Sequence, residues 1–334
     1  MIPGTVQFRQ VPAWQAALAQ AVTDPQELLA LLELGPEWLA AARTAARLFP
    51  LLVPRGFVAR MHRRDPHDPL LRQVLPLAEE LVAAEGFGVD PVGDLAAMPV
   101  PGVLHKYAGR VLLTATGACA VHCRYCFRRH FPYADANASV DHWQAGLAYI
   151  AADPSIKEVI LSGGDPLTLS DRRLAEFAQG LEEIRHVERL RLHTRLPVVL
   201  PERVTSELTA WLAASRLQKV VVIHANHPQE VDETVRHACA RLRAGGATLL
   251  NQTVLLKGVN DSAAVLQQLS EALFAMGVLP YYLHCLDRVQ GAAHFDIAEQ
   301  RARELHATLN ASLPGYLVPR LVREVPGAPG KSPV

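Results

Sequence analysis

Three of the five cysteines lie close together, at Cys119, Cys123 and Cys126, in a C-x₃-C-x₂-C spacing that directly follows an apolar run. Thiolates on a short loop are ligands for a metal ion or an iron–sulfur cluster. A structural metal site normally has four protein ligands, whereas only three cluster here. The spacing therefore favours a cluster with one iron left open to another ligand. A zinc site completed by His122 or His130, or a set of reduced core thiols, remains an alternative on this evidence.

The elements that position this loop form a regular alternation from Gly109 onward. Short β-branched runs predict strands at Val111–Thr116, Val159–Leu161, Leu190–Thr194, Val220–His224, Thr248–Leu255 and Leu279–His284. Helical patterns lie between and after them, around 141–152, 170–185, 203–215, 229–244, 262–276 and 296–310. Six alternations predict a parallel sheet with helices outside it. They are too few for a closed eight-fold barrel, so a doubly wound sheet or a partial barrel is expected.

Polar and reactive residues collect where the predicted strands end. Besides the cysteines, they are Ser162-Gly163-Gly164-Asp165, Arg195, His224, Gln252, His284 and Asp287. The carboxyl ends of parallel strands meet at one edge of a sheet or barrel, and functional sites of α/β proteins lie there. We therefore expect these residues to share one site.

The whole chain divides into an N-terminal helical region (1–100), the alternating part (101–312) and a C-terminal segment (313–334).

The numbers of basic and acidic residues are equal, with Lys plus Arg and Asp plus Glu at 33 each. The chain therefore has no net charge that would attract nucleic acid, and no nucleic-acid partner is expected. The absence of a signal segment or of about 18 consecutive apolar residues predicts no membrane association and a cytoplasmic protein. An odd number of cysteines suits a reducing compartment. Cys239 and Cys285 are expected to be small buried side chains.

The C-terminal run REVPGAPGKSPV contains Lys331 between glycine and serine. By itself this run is typical of a frayed terminus. Its glycine spacing does not match a phosphate-binding P-loop, which also requires a following helix. A lysine on a flexible glycine-rich arm can instead reach the mouth of a barrel and bind a carbonyl cofactor covalently, if its surroundings lower the pKa of the amine.

Together these segments resemble a known family. CAVHCRYCFRRHF and LSGGDPL are similar to the cluster and S-adenosylmethionine (SAM) motifs of the radical SAM superfamily. With HTRLPVVLP, ANHPQEVDE, LLNQTVLLKGVND, PYYLHCLDRVQGAAHF and PGAPGKSPV, the chain resembles the lysine 2,3-aminomutases, which also use pyridoxal 5′-phosphate (PLP). HKYAGR, CRYCFRRHFPYA, YYLHCLD and VQGAAHF resemble the branch of that family that serves elongation factor P.

The resemblance implies a partial (β/α)6 radical SAM barrel with an N-terminal helical region and a short C-terminal arm that carries the PLP lysine. It implies that Cys119, Cys123 and Cys126 bind a [4Fe-4S] cluster and that Lys331 binds PLP covalently. SAM would contact the segment Ser162, Gly163, Gly164 and Asp165. Further PLP contacts would come from Tyr107, Arg110, His224 and Gln252.

The resemblance also implies that free lysine is the substrate. Arg128 would bind its carboxylate, and Asp287 with Glu324 would bind its distal ammonium. The best-known members have aspartate at the position of Glu324, so the longer side chain moves the charge by roughly 1.5 Å.

The implied reaction converts (S)-α-lysine to (R)-β-lysine, which a separate ligase attaches to elongation factor P. An aminomutase for another amino acid such as glutamate, or for lysine catabolism, is the alternative. A radical SAM RNA methylase is a further one, but it would need additional reactive cysteines. The chain stops three residues after Lys331, without the C-terminal extension of the larger catabolic enzymes. Whether it forms a homo-oligomer as they do is therefore left open by the sequence.

Overall fold

The structure is a computed structural model that describes residues 11–136 and 140–334. Residues 1–10, part of the predicted N-terminal region, lie outside the described residues. The strands are β1 (Val103–Tyr107), β2 (Arg110–Thr116), β3 (Glu158–Gly163), β4 (Arg189–Thr194), β5 (Gln218–Ile223), β6 (Ala247–Val254), β7 (Leu279–His284), β8 (Arg320–Arg323) and β9 (Ser332–Pro333).

The helices are α1 (Ala13–Ala19), α2 (Pro25–Leu31), α3 (Leu39–Leu48), α4 (Arg55–Val58), α5 (Pro69–Arg72), α6 (Tyr133–Ala136), α7 (Val140–Ala152), α8 (Asp171–Glu183), α9 (Leu196–Val199), α10 (Ser206–Ala214), α11 (Glu233–Ala244), α12 (Ala263–Ala275) and α13 (Glu299–Ser312). Within the described ranges, none of these helices combines the length and the apolar character needed to cross a membrane.

The order of the strands across the sheet is their order in the chain. β2 to β8 run parallel, while β1 and β9 are antiparallel strands at the two edges. Because parallel crossovers are right-handed, strands added in one direction place all their helices on one face, as in a barrel. A doubly wound sheet would reverse its strand order at a switch point. The predicted partial barrel, with six strand-and-helix units from β2 to β7, is therefore confirmed.

Side chains of the parallel strands alternate between the helix-covered core and the inner face of the sheet. In β4, Leu190 and Leu192 are buried in the main apolar core. Their neighbours Arg191 and His193 must point to the opposite face, because successive strand residues alternate. In this strand the inner face, rather than the core, therefore carries the two basic side chains.

The N-terminal helices pack into the same apolar core as the barrel helices. Trp14, Val22 and Leu28 belong to one cluster of buried residues with Phe177 and Leu181 of α8. The division of the chain near residue 100 stays a prediction.

The C-terminal segment is a strand pair, whereas the sequence predicted a flexible arm. β8 pairs with β7 through Leu283 and Leu321, and β9 returns to pair with β8 through Arg323 and Ser332. Gly327 adopts a positive φ of 78° in the intervening turn, a conformation that glycine adopts without steric cost. The pairing fixes the position of Lys331 at the open edge of the sheet.

Candidate active site

The cysteine loop, residues 117–132, joins β2 to α6 and is held by buried charges. Arg124 donates from Nη2 to Oε2 of Glu80 at 2.6 Å and from Nε to Oε1 at 2.8 Å, and Arg129 donates to the same Oε2 at 2.8 Å. Arg124 and Glu80 are almost fully buried, so losing one partner would leave an uncompensated charge. The N-terminal region thus anchors the loop at the carboxyl end of β2.

The two histidines of the loop are bonded elsewhere. Nδ1 of His122 lies 2.9 Å from the Pro50 carbonyl oxygen, and Nε2 of His130 lies 3.2 Å from that of Gln290. Among the residues that the structure describes, no three His, Cys, Asp or Glu side chains converge on one metal position. A cubane cluster binds each thiolate through a different iron, so it does not require such convergence. The loop therefore fits a cluster better than a zinc ion.

Burial affects the ionisation of the cysteines. It raises the pKa of Cys126 to about 11 and that of Cys119 well above its ordinary value, and the neighbouring sulfurs contribute to both shifts. The three thiols are thus near enough to repel one another when ionised. A bound metal centre overcomes this cost, because its positive charge deprotonates a coordinating thiol.

The backbone after β3 lies directly against the cysteine loop. A Cβ atom at Gly164 would lie 2.2 Å from the carbonyl oxygen of Ala118, and one at Gly163 would lie 2.8 Å from that of Thr116. Gly163 also has a positive φ of 110°. Since no side chain fits in this contact, the glycines bring the end of β3 against the loop that carries the cysteines.

Asp165 and Ser162 flank this contact and are both buried. The Asp165 carboxylate accepts hydrogen bonds from the Thr194 hydroxyl at 2.7 Å and from the backbone N–H groups of Arg195 at 2.7 Å and Leu167 at 3.0 Å. Burial raises the pKa of Asp165 to about 6 despite these bonds. The carboxylate therefore joins the ends of β3 and β4, and Ser162 accepts a 3.3 Å hydrogen bond from Arg128.

Arg195 contacts one of the cysteines, a role that the sequence did not indicate. Its Nη1 donates to Sγ of Cys123 at 2.7 Å, and its Nη2 donates to Oε1 of Gln73 at 2.6 Å and to Oε2 of Glu230 at 3.1 Å. The position of Arg195 after a predicted strand was the only available signal, because its partners are distant in the chain.

The C-terminal strand pair brings Lys331 beside Glu324. Nζ of Lys331 donates to Oε2 of Glu324 at 2.6 Å, and the Tyr107 hydroxyl donates to Oε1 at 2.5 Å. Lys106 lies 3.7 Å from the same Oε1. These groups hold the pKa of the Glu324 carboxyl below its usual value. Glu324 is thus ionised and paired mainly with Lys331.

Arg128 belongs to the same group of ion pairs through Asp94, a residue that the sequence did not single out. Nε of Arg128 donates to Oδ2 of Asp94 at 2.7 Å, and Nζ of Lys106 lies 2.6 Å from Oδ1. Asp94 is 2% exposed. A continuous series of charges, hereafter the ion-pair chain, therefore runs from Lys331 through Glu324, Lys106 and Asp94 to Arg128.

Asp287 lines a cavity of about 480 Å³ together with Glu324. Burial raises the pKa of Asp287 to about 7, although Lys331 and Lys106 partly oppose the shift. Asp296 and Arg288 line the same cavity and form an ion pair at 3.3 Å. A carboxylate that is costly to ionise and has space beside it is suited to binding a cation.

The residues predicted to contact PLP lie at two places around Lys331. Arg110 lies over the ring of Tyr107, with 4.7 Å from its guanidinium carbon to the ring centroid. Gln252 of β6 pairs in register with Tyr282 of β7, and Nζ of Lys331 lies 5.9 Å from the centroid of the Tyr282 ring. Tyr282 and Tyr107 thus lie near Lys331, Tyr107 through their shared partner Glu324, and Gln252 and Arg110 are the strand neighbours of these two tyrosines.

The sequence predicted His224 as the last residue of a strand. In the structure β5 ends at Ile223, so His224 is the first residue after the strand. Its Nε2 lies 2.8 Å from the Tyr125 hydroxyl. Burial lowers the pKa of His224 to about 3, with a contribution from Arg195, so the ring is neutral near pH 7. The histidine therefore connects the inner face of the sheet to the surroundings of Cys123 without adding charge.

The remaining cysteines and lysines differ from these residues. Cys239 and Cys285 are buried, as predicted, and burial raises the pKa of both thiols. Cys239 lies within the apolar core, which does not suit the additional reactive cysteines that an RNA methylase would need. Lys257 is exposed, whereas Lys106 is part of the ion-pair chain.

A partial barrel whose first loop carries three cysteines beside a glycine-rich turn defines a radical SAM enzyme. In agreement, the model of the Radical SAM superfamily matches residues 113–267. The superfamily implies a [4Fe-4S] cluster and SAM, and the cysteine loop fits that cluster.

Full-length comparisons define the family more narrowly. The chain is 52% identical to the L-lysine 2,3-aminomutase of Escherichia coli K12, over 96% of this chain and 94% of that protein. It is 48% identical to the L-lysine 2,3-aminomutase of Haemophilus influenzae, over 99% and 98%. The L-lysine 2,3-aminomutase of Clostridium subterminale is 35% identical, over 96% of this chain and 77% of that protein. The chain belongs to the lysine 2,3-aminomutase family and is an isomerase of the aminomutase type.

Proposed function

We propose that this protein converts (S)-α-lysine to (R)-β-lysine with a [4Fe-4S] cluster, SAM and PLP. The observation that carries the proposal is the ion-pair chain, which joins Lys331 on the last strand pair to Arg128 on the cysteine loop. A cofactor on Lys331 and a cluster on the loop would thereby act on one amino acid held between them.

At one end of the site, Cys119, Cys123 and Cys126 would each bind one iron. The fourth iron would be open to SAM, next to the backbone of Gly163 and Gly164. When bound and reduced by an external one-electron donor, the cluster would supply, together with SAM, the radical chemistry needed at a carbon that no acid or base can activate. The chain's own part is to hold these groups and exclude water.

At the other end, Lys331 would carry PLP, with Tyr107, Arg110, Gln252 and His224 around the cofactor. PLP supplies a π system to which the migrating amino group is attached. A guanidinium such as that of Arg110 has suitable geometry for the phosphate. The neutral ring of His224 can exchange a hydrogen bond without placing a second positive charge nearby.

The substrate would lie between these ends. Nε of Arg128 donates to Asp94 and Nη1 to Ser162, an orientation that aims the guanidinium at the inside of the site, where it would bind the substrate carboxylate. Asp287 would bind the distal ammonium, whose charge would stabilise the ionised carboxylate.

Glu324 would complete the ammonium site once its present partner changes. In the resting enzyme the cofactor would take up the Nζ amine of Lys331, which would leave Oε2 of Glu324 without its present partner when a substrate arrives. Glu324, held by Tyr107, is then available to a substrate ammonium. Two acids at this end favour a cationic side chain over glutamate, because a third carboxylate would be repelled.

We further propose that the product is attached to elongation factor P by a separate ligase. This part depends on the resemblance of HKYAGR, CRYCFRRHFPYA, YYLHCLD and VQGAAHF to the branch that serves that factor. Purified elongation factor P and its lysine ligase, incubated with this enzyme and free lysine, should acquire β-lysine. Incorporation of α-lysine alone, despite formation of free β-lysine, would favour a catabolic role.

The test of the reaction is product analysis with anaerobic, reconstituted protein. We expect about four irons per chain, absorbance of covalently bound PLP, and β-lysine from lysine but no product from glutamate. Lys331→Ala is the matched control, since it should retain the cluster and form no product. Turnover of glutamate alone would contradict the proposal.

A further inference from the structure

Arg195 is a buried cation whose hydrogen bonds are divided between a sulfur and a neutralising network. The residue is 6% exposed and follows β4 directly. Nη1 donates to Sγ of Cys123 at 2.7 Å, while Nη2 donates to Gln73 at 2.6 Å and Glu230 at 3.1 Å. The sulfur of Cys123 is thus hydrogen-bonded by a group that lies outside the cysteine loop.

We propose that Arg195 is a positioning residue that holds Cys123 and makes the iron–sulfur cluster easier to reduce. The inference rests on the proposed function, in which Cys123 binds the cluster. A hydrogen bond to a coordinating sulfur stabilises negative charge on it, and the reduced cluster carries one more negative charge than the oxidised one. Such hydrogen bonds are among the factors that set the reduction potential of iron–sulfur clusters.

The surroundings of Arg195 keep the guanidinium in this orientation. Its guanidinium carbon lies 5.5 Å from the ring centroid of Phe57 and 5.8 Å from that of Tyr125. Its backbone N–H donates to Asp165 at 2.7 Å. The side chain therefore has little freedom to leave the sulfur when the cluster changes its charge.

Glu230 determines how the charge of Arg195 acts. The Glu230 carboxylate is fully buried and also accepts hydrogen bonds from Gln73 at 3.0 Å and from the backbone N–H of Asn226 at 2.9 Å. Because this carboxylate offsets the guanidinium, the effect on the cluster comes mainly from the directional N–H donor at Cys123. Lysine cannot replace the forked guanidinium of Arg195, whose two Nη groups donate in different directions. A single ammonium cannot reach the sulfur and both acceptors in the same geometry.

The experiment compares midpoint potentials of the cluster, measured by EPR-monitored redox titration of anaerobic holoenzyme without SAM or lysine. R195Q removes the charged donor, and R195K retains a charge but not the fork. R203K is the matched control, because Arg203 is a buried arginine that donates to the Leu167 and Leu169 carbonyls and to Asp171, not to sulfur.

In R195Q we expect full iron content and at least tenfold less reduced cluster at a fixed solution potential. For a one-electron couple this is a shift of about 59 mV to more negative potential. R195K should shift in the same direction by a smaller amount, and R203K should match the wild type. An unchanged potential in R195Q with full iron content would overturn the inference while leaving the proposed reaction intact.

Two other outcomes are also decisive. Wild-type protein that takes up no iron would refute the proposed function itself. If R195Q loses its iron, the test is instead made by pulsed EPR on wild-type enzyme labelled with ¹⁵N-arginine. Nitrogen hyperfine coupling to the reduced cluster that is present in the wild type and lost in labelled R195K supports the hydrogen bond. Pulsed EPR spectra without such coupling would overturn it.

Discussion

Replacement of Asp287 by asparagine is expected to make the substrate-free protein more stable while removing its affinity for lysine. Burial raises the pKa of Asp287 from 3.8 to about 7. At ~1.4 kcal/mol per pKa unit, the ionised carboxylate costs the folded state roughly 4 kcal/mol as an upper limit. Because this pKa lies below pH 8, nearly all of the cost applies there, and we expect a gain of up to about 4 kcal/mol near pH 8. Asparagine keeps the shape of the side chain and removes the charge.

The sign of this effect depends on pH. Below about pH 4 the carboxyl group is protonated in both the folded and the unfolded state, and its ionisation costs nothing. As the pH rises to about 7, only the unfolded state loses the proton freely, so the folded wild type loses stability. Above that pH the cost is constant. The advantage of D287N should therefore be about twice as large at pH 8 as at pH 5.5.

Calorimetric unfolding of the anaerobic protein at these two pH values measures the effect, which corresponds to a few degrees in Tm. Asp296→Asn is the control: it lines the same cavity but removes the partner of Arg288, so no gain is expected. Added lysine should raise the Tm of the wild type and not that of D287N. A D287N protein no more stable than the wild type at pH 8, or equally stabilised at both pH values, would refute the reasoning.

Three further predictions concern the cofactors and the substrate. Lys331→Ala should abolish the visible absorbance of bound PLP and leave the iron content unchanged, whereas Lys257→Ala should affect neither; a persistent band in K331A would place PLP on another lysine. Gly164→Ala should lower the iron content severalfold, because its Cβ would lie 2.2 Å from the Ala118 carbonyl oxygen. Gly56→Ala should keep the wild-type iron content, because its Cβ would meet nothing within 4 Å. Equal iron content in both variants would contradict the steric argument. Finally, kcat/KM for lysine should rise with pH through an apparent pKa near 7, as Asp287 ionises, and a fall over that range would exclude Asp287 as the ammonium ligand.

The amino-acid sequence by itself determined the parts of this protein that depend on short-range pattern. The cysteine spacing is local, and so are the apolar runs that became β2 to β7, because burial on one face imposes a period on neighbouring residues. β1 escaped prediction since its residues Leu104, His105 and Lys106 mix polar with apolar types. β8 and β9 were not predicted because strands of four and two residues, next to proline and glycine, are too short to show an alternation of apolar and polar residues.

Tertiary structure alone decided which residues meet at the site. Arg195 lies 72 residues from Cys123, and Tyr107 lies 217 residues from Glu324, so no spacing rule relates either pair. The Arg195–Cys123 contact follows from the parallel strands, because the segments after β2 and β4 meet at one carboxyl edge of the sheet. The Tyr107–Glu324 contact instead joins the antiparallel edge strand β1 to the segment after β8, and the antiparallel pairing of β8 with β9 sets Lys331 against Glu324. Local pattern identifies the reactive side chains, and the packing of the sheet determines their partners.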